Sequence, residues 1–454
     1  MSKFVKVISS DHFGAPPLKG DRWGYCVELL RVSLCEGFNE RTDLIKFEVL
    51  TSDTVKFTFT TNHMYVTHQT IKTSGISYPE LNDDFFIISH TDKEVVAKSY
   101  QDLTGIVGQA QSVIAKSIVA PLGFIEKFKE GNRSAFTTVD EDAFFYIDDT
   151  QPTNWPATST AVCIAPIVYM TERMTDINTD GKLIFPMNPT QPTWYKERGY
   201  TEGGTTIFRN GIMNFCTYPV TGLANKGNSL QWHVIGNGKM FYLLINNDNV
   251  NYTDSNLHIY LFGRYCTTNE NYNHYPYILH GNTYYSNTSN TGVYAASKAL
   301  TGYKPLSNFT ELASGNFMIV KNAQRYCAGI LGIEGEPSIA YYAATKTSMS
   351  MVGLAISGTL GLYPDKYTRK FFVSSMNIFK DSTTLVGKLP GLLWNFNGNQ
   401  YVKTYSISKY RYNNKEKYLF NINTSHYYTA STSGTASQTL YNISLDYNDW
   451  RNYE

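Results

Sequence analysis

The residues of this 454-residue chain whose types and spacing most suggest chemistry are Asp176, Asn178 and Asp180. With Gly181 they reproduce the opening of a helix-flanked calcium loop, in which alternate oxygen-bearing side chains converge on one cation. The pattern then fails. Its twelfth position, which must supply a bidentate carboxylate, is Met187, and Pro186 before it cannot continue an exiting helix. The segment therefore reads as a tight turn between strands, with Asp and Asn bonding their own backbone and Gly181 at positive φ. A non-helical cation site is the alternative.

Other chemistries need groups that the chain supplies only in part. Glycoside hydrolysis needs two facing carboxylates. The clusters Asp83-Asp84, Asp140-Glu141-Asp142 and Asp148-Asp149 all lie in turn-rich sequence, where solvated loop edges are the simpler reading. No serine-hydrolase elbow, Walker loop, zinc-protease helix or dinucleotide fingerprint occurs. His233, between Trp232 and Val234 in a strand-like run, reads as a core or edge histidine, and His12, His274 and His280 have no partner at metal spacing. The cysteines Cys26, Cys35, Cys163, Cys216, Cys266 and Cys327 are scattered and read as reduced thiols, mostly small buried hydrophobes. No catalytic, cofactor-binding or metal-binding residue is assigned, and the chain is expected not to be an enzyme.

Composition narrows the classes further. Hydrophobic residues make up 42 %, charged residues 17 %, and the formal net charge is +1. That excludes polyelectrolyte disorder and leaves no basic field to attract a nucleic-acid backbone. The 35 tyrosines and 25 phenylalanines, with abundant Thr and Asn, favour pleated half-buried surfaces joined by turns. Tyrosine also suits surfaces that are wet before assembly and buried afterwards, and it equally suits a glycan-binding face. Met1 to Lys6 lacks the apolar run of a signal peptide, and Met349 to Tyr363 is shorter than the roughly 18 residues needed to cross a bilayer. No membrane insertion is expected, and folding in the cytoplasm of the producing cell is.

The elements that would position these groups are mainly β with a few short helices, in antiparallel sandwich or barrel-like domains. Trp23, Val27, Leu30, Leu34 and Phe38 recur at helical spacing, predicting an N-terminal helix over about 21–37 with Asp21 as N-cap and Gly37 as stop. From Leu44 to Ile88 the pattern alternates, as in Val55-Lys56-Phe57-Thr58-Phe59, and predicts antiparallel strands. Val107, Ala110, Val113, Ile114 and Ile118 predict a second helix over Ile106 to Ala120. After Pro121 short aromatic and β-branched runs alternate with turn residues. Thr267 to Tyr294 and Thr424 to Gln438 read as exposed polar loops. The predicted domains are a main β-rich unit of 1–43 plus 90–265, a small β-rich region at 44–89, and a C-terminal β-rich region at 266–454.

Taken in order, several segments resemble a family of tailed-bacteriophage virion structural proteins. They are Gly14-Ala15-Pro16-Pro17-Leu18-Lys19-Gly20, the helix end Leu34-Cys35-Glu36-Gly37-Phe38, Ala120-Pro121-Leu122-Gly123-Phe124-Ile125-Glu126-Lys127, and Phe145-Tyr146-Ile147-Asp148-Asp149. The series continues with Glu172 to Gly181 plus Phe185-Pro186, Trp232 to Leu243, Tyr260-Leu261-Phe262-Gly263 and Gly387 to Trp394. Asn237 and Arg264 stand where the family commonly has Asp, and nothing from Asn395 onward has a counterpart.

The resemblance implies a structural component of the virion tail, baseplate, neck or collar, forming a symmetric ring or other homo-oligomer with neighbouring virion proteins. It makes 44–89 an insertion into the main unit, implies no cofactor, and makes Asp148, Asp149 and the Asp176 segment turn residues. A receptor-binding tail protein that recognises host-surface glycans through the long loops is the alternative, and a polysaccharide depolymerase the third reading.

Overall fold

The computed structural model describes residues 5–19, 22–141, 143–151, 166–179, 182–185, 200–202, 205–207, 213–215, 229–246, 257–267, 277–280, 282–283, 306–308, 316–321, 373–380, 384–395, 406–412, 415–428, 437–446 and 450. The chain opens with strand β1 (Lys6–Ser9) and the two-residue β2 (Leu18–Lys19), followed by helix α1 (Tyr25–Arg31). A π-turn over Val32–Glu36 continues α1, closed by the Gly37 N–H donating to the Val32 carbonyl at 2.8 Å. The expected helix is thus present but shorter at its start. Its N-cap is Gly24, not Asp21, which lies outside the described residues.

Six antiparallel strands then close a barrel: β3 (Phe38–Thr51), β4 (Thr54–Phe59), β5 (Thr70–Ser74), β6 (Asp84–His90), β7 (Glu94–Ser99) and β8 (Ala110–Val119), in the order β3-β4-β7-β6-β5-β8. The period-2 pattern explains it. Along β4, Val55, Phe57 and Phe59 are buried while Lys56 and Thr58 look outward, and the Phe57 ring meets Phe85 edge-on at 5.0 Å. The barrel runs past both ends of the expected 44–89 insertion, because closure needs β7 and β8 as well as the whole of β3.

The helix expected over Ile106 to Ala120 is instead β8, preceded by a single 3-10 turn at Thr104–Ile106. Its β-branched residues fit a pleated surface better than a helix, and β8 supplies the ladder that both β3 and β5 require. Ala115, Ser117 and Val119 alternate inward, so the apparent helical spacing of the apolar residues has no packed face behind it.

Two larger sheets follow. One has seven strands, including β9 (Ile125–Glu130), β10 (Arg133–Thr137), β11 (Phe144–Asp148), β12 (Ile167–Glu172) and β13 (Lys182–Phe185). The other has fourteen. It starts at β1, which pairs with Ser229–Asn237, and continues antiparallel through Met240–Asn246, Leu257–Arg264 and Tyr277–His280 toward the C-terminal strands Thr384–Asn395, Ser437–Asp446 and Lys415–Tyr428. This sheet crosses the expected boundary at 265/266. It also takes up both ends of the predicted loop Thr424 to Gln438, since Thr424 pairs with Tyr441 and Tyr428 with Ser437. Most of Thr267 to Tyr294 lies outside the described residues.

The strands Ser229–Asn237, Met240–Asn246 and Leu257–Arg264 of this sheet are apolar on both faces, as strands covered on both sides must be. One face carries Trp232, Val234, Phe241, Leu243 and Phe262 against the seven-stranded sheet, where the Phe145 ring lies 5.6 Å from Phe241 and 5.3 Å from Phe262. The other carries Ile235, Tyr242, Leu244 and Leu261 against Leu392, Phe420 and Leu445 from the C-terminal strands and Trp450 beyond them. On that side Gly391 has φ +64, and a Cβ there would collide with the Trp450 indole.

Replacing Gly391 with Ala should therefore lower stability by about 1–3 kcal/mol through overpacking added to backbone strain. Gly108→Ala shares a positive φ of 81° but meets nothing within 4 Å, so its denaturant midpoint should fall less than that of Gly391→Ala.

Candidate functional site

The acidic residues singled out for chemistry are dispersed. The Asp176 carboxylate accepts the N–H groups of Asn178 (2.7 Å) and Thr179 (2.9 Å) and the Thr179 hydroxyl, which holds its pKa below the usual carboxylate value. Asn178 in turn accepts from Arg133 at 2.8 Å. This is an Asx turn; its neighbours Asp180 and Gly181 lie outside the described residues. Asp83 accepts from Gln101 (2.8 Å), Glu141 pairs with Lys127 (2.9 Å), and Asp140 stands 3.6 Å from Arg264. Asp142 lies outside the described residues.

Asp84 and Asp149 are corrections to the reading of solvated loop edges. Both are buried. Asp149 reaches across the fold: its Oδ2 accepts the backbone N–H groups of Cys26 (2.9 Å) and Val27 (3.1 Å), capping the first turn of α1 from 122 residues away. A carboxylate there satisfies otherwise orphaned donors and meets the positive end of the helix.

Three of the segments that carry the family resemblance meet at this helix: 34–38, 120–127 and 145–149. Beyond its C-terminal end, the N–H groups of Leu122 and Gly123 donate to the carbonyls of Ser33 and Leu34, both at 2.9 Å. On its flank, Arg31 is buried and donates to Glu126 (2.8 Å), Ser134 (2.9 Å) and the Gly131 carbonyl (2.7 Å), which ties down the β9–β10 hairpin. Cys35, also beside Glu126, has its thiol pushed up to about 12 by burial, the opposite of what a nucleophile needs.

The opening loop joins the same framework, since the Trp232 indole N–H donates to the Pro16 carbonyl at 3.1 Å. The Gly236–Met240 turn is locked by close approach. A Cβ on Gly236 would collide with the Met240 carbonyl, and Gly238 lies against the backbone of Gly123. Tyr242 then donates its hydroxyl to the Pro390 carbonyl at 2.9 Å, bringing in the Gly387–Trp394 segment. These motifs are joints of a framework. Among the described residues no group of three or more His, Cys, Asp and Glu is placed to hold a metal ion.

One ion pair fastens the barrel to this framework. Lys6 on β1 reaches Asp84 on β6 at 2.8 Å and also donates to the Pro121 carbonyl at the barrel exit. Burial lowers the Lys6 pKa, opposed by the Asp84 charge, so the charge stays only because its partner is beside it. Aromatic contacts extend the joint: Tyr418 of the C-terminal strands lies 4.9 Å from His68 and 5.6 Å from Phe86 of the barrel.

What the fold leaves open is the barrel exterior. The β3–β8 ladder shifts register three times. At one shift Leu44 faces Ala115 while Lys46 faces Ser112, so Ile45 stands opposite both Val113 and Ile114. A bulge of this kind re-aims side chains. Ile114 is 94 % exposed in the middle of a strand, with Ile45 beside it at 42 %. Leu50 and Val107 are also exposed, flanking the turn where Val49 and Gly108 bond at 2.9 Å. The sequence reading placed Ile114 on the apolar side of a helix and so missed this surface.

Neither a family model nor a curated protein matches the chain.

Replacing Lys6 with Met should lower the free energy of unfolding by about 3–5 kcal/mol, because Asp84 is left as a buried carboxylate without a counterion. The double variant Lys6→Met/Asp84→Leu should recover much of that loss, as read by denaturant titration of the three proteins.

Proposed function

We propose that this chain is a non-enzymatic structural component of a tailed-bacteriophage virion, in the tail, baseplate or neck and collar, joined to neighbouring copies or other virion proteins through protein interfaces. The collinear resemblance supports the virion assignment. The way its motifs interlock supports a structural role, since a framework pinned at a buried helix, a buried ion pair and close glycine contacts resists deformation. The observation that carries the assembly reading is the bulge that turns Ile114 fully outward beside Ile45.

Single exposed apolar residues are ordinary. A mid-strand isoleucine presented by a register shift, with a second isoleucine next to it, is a small apolar knob of the kind that a neighbour's pocket covers. In a symmetric particle each copy repeats the contact, and modest interfaces sum to a large one. A barrel exterior suits this work because a closed barrel has no free strand edge to drive uncontrolled pairing.

The test is Ile114→Glu in the full-length chain, made in the producing phage. The variant should fold with a stability within about 0.5 kcal/mol of the parent, as surface substitutions do, yet be depleted from finished particles when these are quantified by mass spectrometry. Absence of the unaltered chain from finished particles would overturn the reading. Saturable binding of host-surface glycans or release of saccharide by the purified protein, unaffected by Ile114→Glu, would replace it with a receptor-binding or depolymerase role.

A further inference from the structure

Two histidines more than two hundred positions apart, His12 and His233, lie within electrostatic reach of one another where β1 pairs into the large sheet. His233 is buried on the strand Ser229–Asn237, paired in register with Ser9 of β1, and its ring lies 5.2 Å from Phe420 of the strand Lys415–Tyr428. His12 sits in the turn after β1. Its own N–H donates to the Ser9 carbonyl at 3.0 Å, and its Nδ1 accepts the Ser9 N–H at 3.3 Å. That acceptance requires an unprotonated Nδ1, and a proton there would set a donor against a donor.

Over this corner lies the C-terminal layer. Phe420, Leu445 and Trp450 pack into one apolar cluster with Val5, Val7 and Tyr242. Burial in such surroundings opposes any charge. The ionisable groups on the elements packed about the corner are Lys6 with its partner Asp84, the exposed Asp11, His68 of the barrel, Tyr418 and the buried Asp446. His12 bears electrostatically on His233, and it opposes a second positive charge.

We propose that His12 and His233 form an acid-sensitive latch: while both rings are neutral the strands Lys415–Tyr428 and Ser437–Asp446 stay docked against the β1 side of the large sheet, and protonation of the pair detaches that layer while the barrel and the α1 framework remain folded. This device is independent of the position of the chain in any assembly.

The direction of the pH effect follows from burial. Desolvation pushes His233 down to about 3 and His12 down to about 4, so the docked form holds both neutral through mildly acidic pH. A detached layer returns the His233 ring to water, where a histidine titrates near 6.5, and uncovers the corner that His12, itself partly buried, shares with it. Docking is therefore fully favoured above that value and weakens as pH falls below it. For His233 the loss is tenfold per unit, or about thirty-fold at pH 5, and His12 adds to it.

Hydrogen–deuterium exchange of the full chain at pH 8 and pH 5, with rates corrected for their intrinsic pH dependence, tests the latch. Exchange in Lys415–Tyr428 and Ser437–Asp446 should quicken at least tenfold at pH 5, with no such change in β4 or β7 of the barrel. His233→Phe, which keeps a ring against Phe420, should remove most of the acceleration. His12→Asn, which retains an acceptor for the Ser9 N–H, should remove part of it and carries the test alone if His233→Phe does not fold. Equal acceleration in barrel and C-terminal strands, or an undiminished acid response in the folded variants, would overturn the proposal.

Discussion

A lysine ammonium can stay charged in a protein interior only while a carboxylate stays with it, and in this molecule that condition holds the two halves of the architecture together. Lys6 belongs to the first strand of the large sheet, Asp84 to the barrel, and the Pro121 carbonyl to the chain leaving the barrel. Removing water from both charges is expensive, so the pair contributes little net stability compared with a well-packed apolar contact. Its contribution is to position: any displacement of barrel against sheet would strand a buried charge. The apolar contacts of Phe86 and Tyr418 then supply the attraction that the ion pair orients.

The short helix is the second fixed point. Seven residues of α-helix are too few to be stable in isolation, and packing and capping supply what length does not. Its first N–H groups are satisfied by Asp149, the carbonyls at its far end receive the chain leaving the barrel, and Arg31 holds a hairpin of the second sheet. Three separate stretches of sequence thus reach the same element. Where turns must come closer than a side chain permits, as at Gly236 against Met240 and Gly391 against Trp450, glycine stands. Under the proposed assembly role the buried joints and the apolar knob on the barrel are complementary, since a contact repeated around a symmetric particle is useful only if the body presenting it keeps its shape.

Much of this architecture is legible in the residues. The alternation along Thr54–Phe59 specifies a strand and also its inner face, because the period of a pleated strand is local and every second residue shares one environment. The helix around Val27, Leu30 and Leu34 is legible for the same reason, its repeat being set by neighbours three and four apart. The segment from Ile106 to Ala120 misleads, since Val107, Val113, Ile114 and Ile118 fall at helical spacing by coincidence. The demand for a strand comes from β3 and β5, which no local pattern contains. Asp149 is likewise invisible as a cap, because capping by a residue 122 positions away leaves no sequence spacing to find.

By itself, then, the sequence determined the class: a mainly β, antiparallel chain rich in buried aromatic residues, with one short N-terminal helix, since propensity and periodicity act between residues a few positions apart. Only the tertiary structure decided which strands close the barrel, that Lys6 meets Asp84, that His12 comes within electrostatic reach of His233, and that Ile114 faces solvent rather than a core. Those outcomes depend on register and on contacts across a hundred or more residues. In a strand a shift of one residue exchanges inside for outside, and nothing local to Ile114 records where the partner strand slips.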